Sequence, residues 1–92
     1  MRDEDVDERY NKYSKNLKRV FSELEIKKSD AKVNDIIDLA KRYLKDAEYF
    51  KNENKHITAL ISLAYSEGLL DALRFIDYVN FAWTDSGNEN KK

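Results

Sequence analysis

The segment ITALISLAYSEGLLDALRFIDYVNFAW, residues 57–83, decides the fold of this chain. Its apolar residues recur at steps of three and four, which is the spacing of one face of an α-helix. Further leucines widen the apolar surface beyond this face, and a helix of that width is expected to be buried on two sides. The predicted main face consists of Ile57, Leu60, Ile61, Ala64, Gly68, Ala72, Phe75, Ile76, Val79, Ala82 and Trp83.

Two earlier segments have the same periodicity and are expected to cover this helix. The first carries a narrow apolar stripe and the second a wide one. A short polar connector with two asparagines precedes the third segment, and so short a connector implies antiparallel neighbours. Ser29 or Asp30 is placed to cap the second helix. We predict an all-α, up-down-up three-helix bundle with helices at about 6–25, 31–51 and 57–83.

The composition bounds the class of protein. A chain of 92 residues is long enough for one small domain, which we place at 1–83, followed by a disordered tail at 84–92. The 17 basic and 18 acidic residues leave a net charge of −1, which argues against a nucleic-acid partner. No apolar run approaches the roughly 20 residues of a membrane span. With no cysteine and a charged start, the chain is expected to be cytoplasmic.

Glu67, Gly68 and Asp71 interrupt the apolar surface at the middle of the third helix. Counting from the connector places Gly68 level with Ala40 of the second helix. A glycine inside a helix costs about 1 kcal/mol relative to alanine. We therefore predict that Gly68 and Ala40 form a packing notch where the two backbones approach closely.

The two carboxylates of this group are four residues apart and therefore adjacent on the helix. A buried carboxylate needs a cation or a proton, and Arg74, Lys41 and Lys18 are the candidate partners of Glu67 and Asp71. Three readings stay open: ion pairs that fix the helix register, a binding site for a small molecule or a metal, or solvated carboxylates with neither role. Because no Glu-x-x-His spacing is present, no metal site and no cofactor are assigned.

The sequence contains little that indicates catalysis. His56 is the sole histidine, and it stands in a polar turn without a recognisable partner. No catalytic residue is therefore assigned, and a non-enzymatic module is favoured. Tyr78, Phe81 and Trp83 lie near the end of a helix predicted to overhang its neighbours. They form the candidate interface for a homodimer or another protein partner.

Two blocks of the sequence resemble a known family. They are YLKDAEYF at residues 43–50 and AYSEGLLDALR at residues 64–74, and the most specific part is Tyr65-x-Glu67-Gly68-Leu69-Leu70-Asp71. The chain is similar there to a family of short archaeal proteins of unknown function. The resemblance implies a three-helix bundle of archaeal, cytoplasmic origin, and it supplies no activity or site residue. A looser similarity to helical ribonucleases of the HEPN type lacks their Arg-x4–6-His motif.

Overall fold

The computed structural model describes residues 5–84, so most of the predicted tail lies outside the described residues. As predicted, the fold is all-α with three helices: α1 (Val6–Glu23), α2 (Ala31–Asn52) and α3 (His56–Phe75). Two short strands that the sequence analysis did not predict, β1 (Glu25–Ile26) and β2 (Val79–Asn80), form an antiparallel pair. This pair ties the α1–α2 connection to the chain that follows α3.

Carboxylate side chains cap the first two helices. The Asp5 carboxylate accepts hydrogen bonds from the backbone N–H groups of Asp7 and Glu8. The Asp30 carboxylate accepts one from Val33 at 2.8 Å, so the cap predicted at Ser29 or Asp30 is Asp30. These bonds satisfy donors that a helix start leaves free.

The second and third helices end in the same motif, with a left-handed residue directly after the C-cap residue. Asn54 has φ 63° after α2, and Asp77 has φ 71° after α3. The N–H of Lys55 then donates to the Phe50 carbonyl, and the N–H of Tyr78 donates to the Leu73 carbonyl, each at 2.9 Å. Both ends are therefore Schellman motifs, built on residues that tolerate left-handed backbone better than most.

The prediction that the third helix continues to about residue 83 is wrong. Its apolar stripe continues in phase past Phe75, but the backbone reverses at Asp77 and enters β2. The N–H groups of Lys27 and Lys28 donate to the Tyr78 carbonyl at 2.8 and 3.2 Å, and so hold this exit against the α1–α2 connection. The helix ends because Asp77 adopts a left-handed backbone angle, and hydrophobic periodicity carries no information about that angle.

The core lies between α3 and the other two helices. At its centre the fully buried Ser66 hydroxyl donates to the backbone carbonyl of the equally buried Ala40, at 2.7 Å. α1 closes the core with four buried side chains, those of Tyr10, Ser14, Leu17 and Val20. The buried apolar residues are Tyr10, Leu17, Val20, Val33, Ile37, Ala40, Ala47, Ala59, Leu63, Leu70, Leu73 and Val79.

The predicted main face of the third helix is also wrong in its orientation. The side of α3 that meets the core carries Ala59, Ser62, Leu63, Ser66, Leu70 and Leu73. Most of the predicted face is turned to solvent instead. Because α3 is apolar on both sides, hydrophobicity alone does not select the packed side. On the packed side the serine side chains let α2 approach, and the Ser66 hydroxyl donates to the Ala40 carbonyl.

Candidate functional site

A continuous apolar surface on α3 is the most conspicuous exposed feature of the described chain. Its large side chains are strongly exposed: Phe75 at 91%, Ile57 at 67% and Tyr65 at 61%. The molecule is only 18 Å thick along its shortest axis, so this side of α3 is not covered by a further layer of residues 5–84. We call this surface the α3 outer face and define it by Ile57, Ile61, Ala64, Tyr65, Gly68, Ala72, Phe75 and Ile76.

Gly68 lies at the middle of the α3 outer face and is not a packing notch. A Cβ added to Gly68 would meet no heavy atom within 4 Å, so the predicted contact with Ala40 is wrong. Ala40 does lie against α3, but the residue opposite it is Ser66. The predicted level along the helices was off by only two residues, but two residues turn a side chain to the opposite side of a helix.

Asp71 lies at the edge of the α3 outer face that is nearer to α1. Its carboxylate accepts hydrogen bonds from the Arg74 guanidinium at 2.8 Å and from the Trp83 indole N–H at 3.0 Å. The Trp83 bond and then the Arg74 bond hold the pKa of Asp71 below its usual value, since both favour the charged form. The predicted pairing of Asp71 with Arg74 is present.

Glu67 has a different environment one turn earlier. Within residues 5–84, no hydrogen bond or ion pair reaches its carboxylate, and Lys41 lies exposed on α2 without contacting it. Burial raises the pKa of Glu67, and the Asp71 charge raises it further. Of the predicted cation partners, Arg74 pairs with Asp71, Lys41 contacts neither carboxylate, and Lys18 pairs with Glu48 of α2 instead.

Both carboxylates line an open groove between α1 and α3. Tyr13 and Asn16 of α1 form one wall, and Trp83 closes one end. Within the described residues, no cluster of three or more His, Asp or Glu side chains is arranged to hold a metal ion. The groove can therefore offer two carboxylates, an amide and an aromatic edge, but no preformed metal cage.

The predicted interface at Tyr78, Phe81 and Trp83 does not sit on an overhanging helix end. Phe81 and Trp83 are half-buried and packed edge to face, with ring centroids 4.7 Å apart. Tyr78 packs against the smaller core cluster. The Arg74 guanidinium lies 5.4 Å from the Phe81 ring centroid. These aromatics cover the core of their own chain instead of projecting from it.

Arg19 and the Asp71–Trp83 bond are the site features that sequence reasoning missed. One guanidinium nitrogen of Arg19 donates to the carbonyl groups of Ala82 and Trp83, at 3.1 and 2.9 Å. A separation of more than 60 residues leaves no periodic signal for such a contact. The sequence does contain a signal for the exposed α3 outer face, because the third segment is apolar on more sides than a small bundle can bury.

Comparisons with known proteins place the chain in one family. The family described as protein of unknown function (DUF357) matches residues 12–79. The chain therefore belongs to that family, and the resemblance to a family of unknown function is confirmed. Neither the curated proteins nor the solved structures give a match. Within residues 5–84, no helix is both long enough and apolar enough to cross a membrane.

Proposed function

We propose that this protein is a non-enzymatic interaction module that docks an apolar helix of its partner on the α3 outer face. The observation that carries the proposal is the exposure of five large apolar or aromatic side chains on one side of one helix. Contiguous apolar surface of this kind is uncommon on small monomeric proteins and marks sites of association. We expect the docked segment of the partner to be a helix, because the ridges of side chains on one helix pack into the grooves of another.

Small residues at the middle of the face support helix docking. Ala64, Gly68 and Ala72 follow at intervals of four, so they line up along the face between the larger side chains. Such a row lets a second backbone approach closely, and the larger side chains at either end can then pack around it. Gly68 costs helix stability, and no side chain or backbone of residues 5–84 lies close enough to its Cβ position to explain the glycine.

The test is site-specific photo-cross-linking in cells of the source organism. A photoreactive phenylalanine analogue replaces Phe75 in one variant and Tyr49 in the control. Tyr49 is a comparably exposed aromatic side chain on α2, 60% exposed, and lies outside the α3 outer face. We expect a discrete cross-linked product from position 75 that is absent from position 49. Equal labelling at both positions overturns the proposal.

A second candidate function is binding of a small cationic ligand or a divalent metal in the groove beside Glu67 and Asp71. Glu67 favours it, because this carboxylate is half-buried and has no cation partner within residues 5–84. Titration calorimetry with Mg²⁺, Ca²⁺, Mn²⁺ and simple amines checks it. Heat of binding that Glu67→Gln abolishes supports the site, and no heat with any of these probes overturns it.

We also infer the up-down-up order of the helices from their contacts. Asp7 and His56 pair near the starts of α1 and α3, and Arg19 in the last turns of α1 contacts the Trp83 carbonyl in the segment after α3. Lys18 pairs with Glu48 at 2.8 Å, which sets α2 beside α1. An archaeal origin and a cytoplasmic location are proposed from the family resemblance described above.

A further inference from the structure

We propose that the partner is a second copy of this chain, with the two α3 helices packed antiparallel about a two-fold axis at Gly68. The proposal rests on the proposed function and names its occupant. In such a pair, each contact between two different positions occurs twice. The midline of the α3 outer face should then present the same sequence of large and small side chains when it is followed from Gly68 in either direction.

The midline of the face has this symmetry, whereas Tyr65 stands opposite Asp71 of the second copy and Ile57 lies beyond the overlap of the two helices. Ala64 and Ala72 stand four residues on either side of Gly68, and Ile61 and Phe75 stand seven residues on either side. In the antiparallel pair Ala64 faces Ala72 of the second copy, and Ile61 faces its Phe75. Small side chains thus meet small ones at the centre, and large ones meet large ones toward the ends.

Electrostatics also permit the α3 outer face to meet itself. None of its eight residues is charged, and the nearest charged side chains, Glu67 and Asp71, lie toward its α1 edge, where Arg74 pairs with Asp71. The antiparallel arrangement sets the positive N-terminal end of each helix dipole beside the negative C-terminal end of the other. A strongly charged face would instead have pointed to a partner of opposite charge.

The exposed area is sufficient for a modest dimer. The four large side chains within the overlap of the two helices, Ile61, Tyr65, Phe75 and Ile76, each expose roughly 100 Å² or more and, with the small residues between them, give about 500 Å² per chain. Two such faces bury about 1,000 Å² in total, a size typical of weak, transient interfaces. We therefore expect reversible dimers instead of an obligate pair.

The remaining residues of the printed sequence are not suited to cover the face. Residues 1–4 and 85–92 are polar except for Met1 and Gly87. Apart from Met1, these residues have no apolar side chains to set against Ile61 and Phe75. A second copy supplies an apolar surface of the same size as the face.

Single-cysteine variants test the geometry, because the natural chain contains no cysteine. Helices about 8 Å apart bring facing Cα atoms near the axis within the roughly 7 Å that a disulfide needs. We expect Gly68→Cys to form dimers under mild oxidation at least about tenfold faster than Tyr49→Cys, the control for random collision. Equal rates for the two variants overturn the proposal.

A second pair of variants determines the direction of packing. Two copies of Ile61 lie about 20 Å apart in the antiparallel pair, since each is seven residues from the axis at 1.5 Å per residue. Ile61→Cys alone should therefore react no faster than the control, and a mixture of Ile61→Cys with Phe75→Cys should give a mixed dimer. Rapid self-cross-linking of Ile61→Cys overturns the antiparallel arrangement.

Light scattering at millimolar concentration tests the association without any cysteine. We expect the wild-type mass to approach that of two chains, the Phe75→Glu mass to fall to one chain, and Tyr49→Glu to behave as wild type. Phe75 is 91% exposed, so circular dichroism should show Phe75→Glu still folded. A wild-type chain that stays monomeric overturns the second copy as partner. A photo-cross-link from position 75 to a different protein would then still support the proposed function.

Discussion

Ser66 lies fully buried at the contact between α2 and α3, and its hydroxyl donates to the Ala40 carbonyl at 2.7 Å. A buried hydroxyl without a partner is costly, so the backbone carbonyl both satisfies it and fixes the relative position of the helices. The small side chain also leaves room for the backbone of α2. At the scale of single residues, Ser66 therefore sets the approach of the two helices.

We expect Ser66→Ala to lower the free energy of unfolding by about 1 kcal/mol, the net value of a typical hydrogen bond. Ser66→Val should cost more, about 1–3 kcal/mol, because the added methyl groups overpack the contact with Ala40. Urea denaturation followed by circular dichroism measures both. Ser22→Ala is the control, because the Ser22 hydroxyl is exposed and bonds within its own helix. Equal effects at Ser22 and Ser66 would contradict the role of Ser66.

Glu67 should give the fold an unusual pH dependence. Its pKa is raised in the folded state, so the folded chain binds this proton more tightly than the unfolded chain does. The stability linked to this proton is fully present below the ordinary pKa of 4.5 and is lost as the pH rises through the raised pKa. We expect Glu67→Gln to be more stable than wild type at neutral pH, with the difference closing below about pH 4. Thermal unfolding across pH measures this, and a difference that grows on acidification would contradict it.

At the scale of elements, the segment after α3 is held in place by side chains from two helices. Asp71 and Arg74 of α3 contact Trp83 and Phe81, and Arg19 of α1 contacts the carbonyl groups of residues 82 and 83. The strand pair adds backbone hydrogen bonds at the start of the segment. This segment, residues 79–83, therefore joins α1 to α3, and we call it the clasp.

Loss of the Asp71 carboxylate should loosen this clasp. We expect Asp71→Ala to shift the emission of Trp83, the single tryptophan, toward that of a solvated indole. The loss of global stability should be about 1 kcal/mol or less, because the contacts of Asp71 are solvent-exposed. Acid should have the same effect on wild type, since the stability from a lowered pKa is present above the ordinary value of 3.8 and is lost as the pH falls through the lowered pKa. Asp46→Ala is the exposed control, and an unchanged spectrum in Asp71→Ala would contradict the clasp.

The α3 helix itself should gain from the loss of its glycine. We expect Gly68→Ala in the Phe75→Glu background, which keeps the chain monomeric, to raise the free energy of unfolding by about 1 kcal/mol. The reason is that Gly68 lies mid-helix with open space where a Cβ would be. Urea denaturation measures the change. A loss of stability would mean that the position is packed after all.

At the scale of the whole molecule, the chain is thin and one of its helices has two apolar sides. One side of α3 packs in the core, and the opposite side is exposed to solvent. A helix that is apolar around most of its girth is ordinarily buried around most of its girth. The described chain covers only part of α3, so association would bring the helix to the burial that its composition implies.

The thermal stability of the wild-type chain should therefore depend on its concentration. Dimerisation favours the folded state by mass action, so the melting temperature should rise as protein is added. Calorimetry over a hundredfold range of concentration measures the rise. Phe75→Glu should abolish it and Tyr49→Glu should keep it. A wild-type melting temperature independent of concentration would contradict self-association.

Much of the fold was predictable from local patterns in the sequence. The existence of three helices, the Asp30 cap and the turn at Asn54 each depend on a few neighbouring residues, and a sequence displays these directly. The pairing of Asp71 with Arg74 was predictable for the same reason, since three residues on a helix bring the side chains together. The contacts of Trp83 and Arg19 were not, because they join distant parts of the chain.

The sequence by itself determined that this protein is helical and that its third helix is apolar on more than one side. Only the tertiary structure decided which of those sides is packed, because two apolar sides satisfy hydrophobicity equally well and the fit of Ser66 against Ala40 distinguishes them. That choice places Gly68 and Phe75 in solvent instead of in the core. The tertiary structure also ended α3 at Phe75, since a left-handed Asp77 and a backbone strand pair leave no mark in the apolar periodicity.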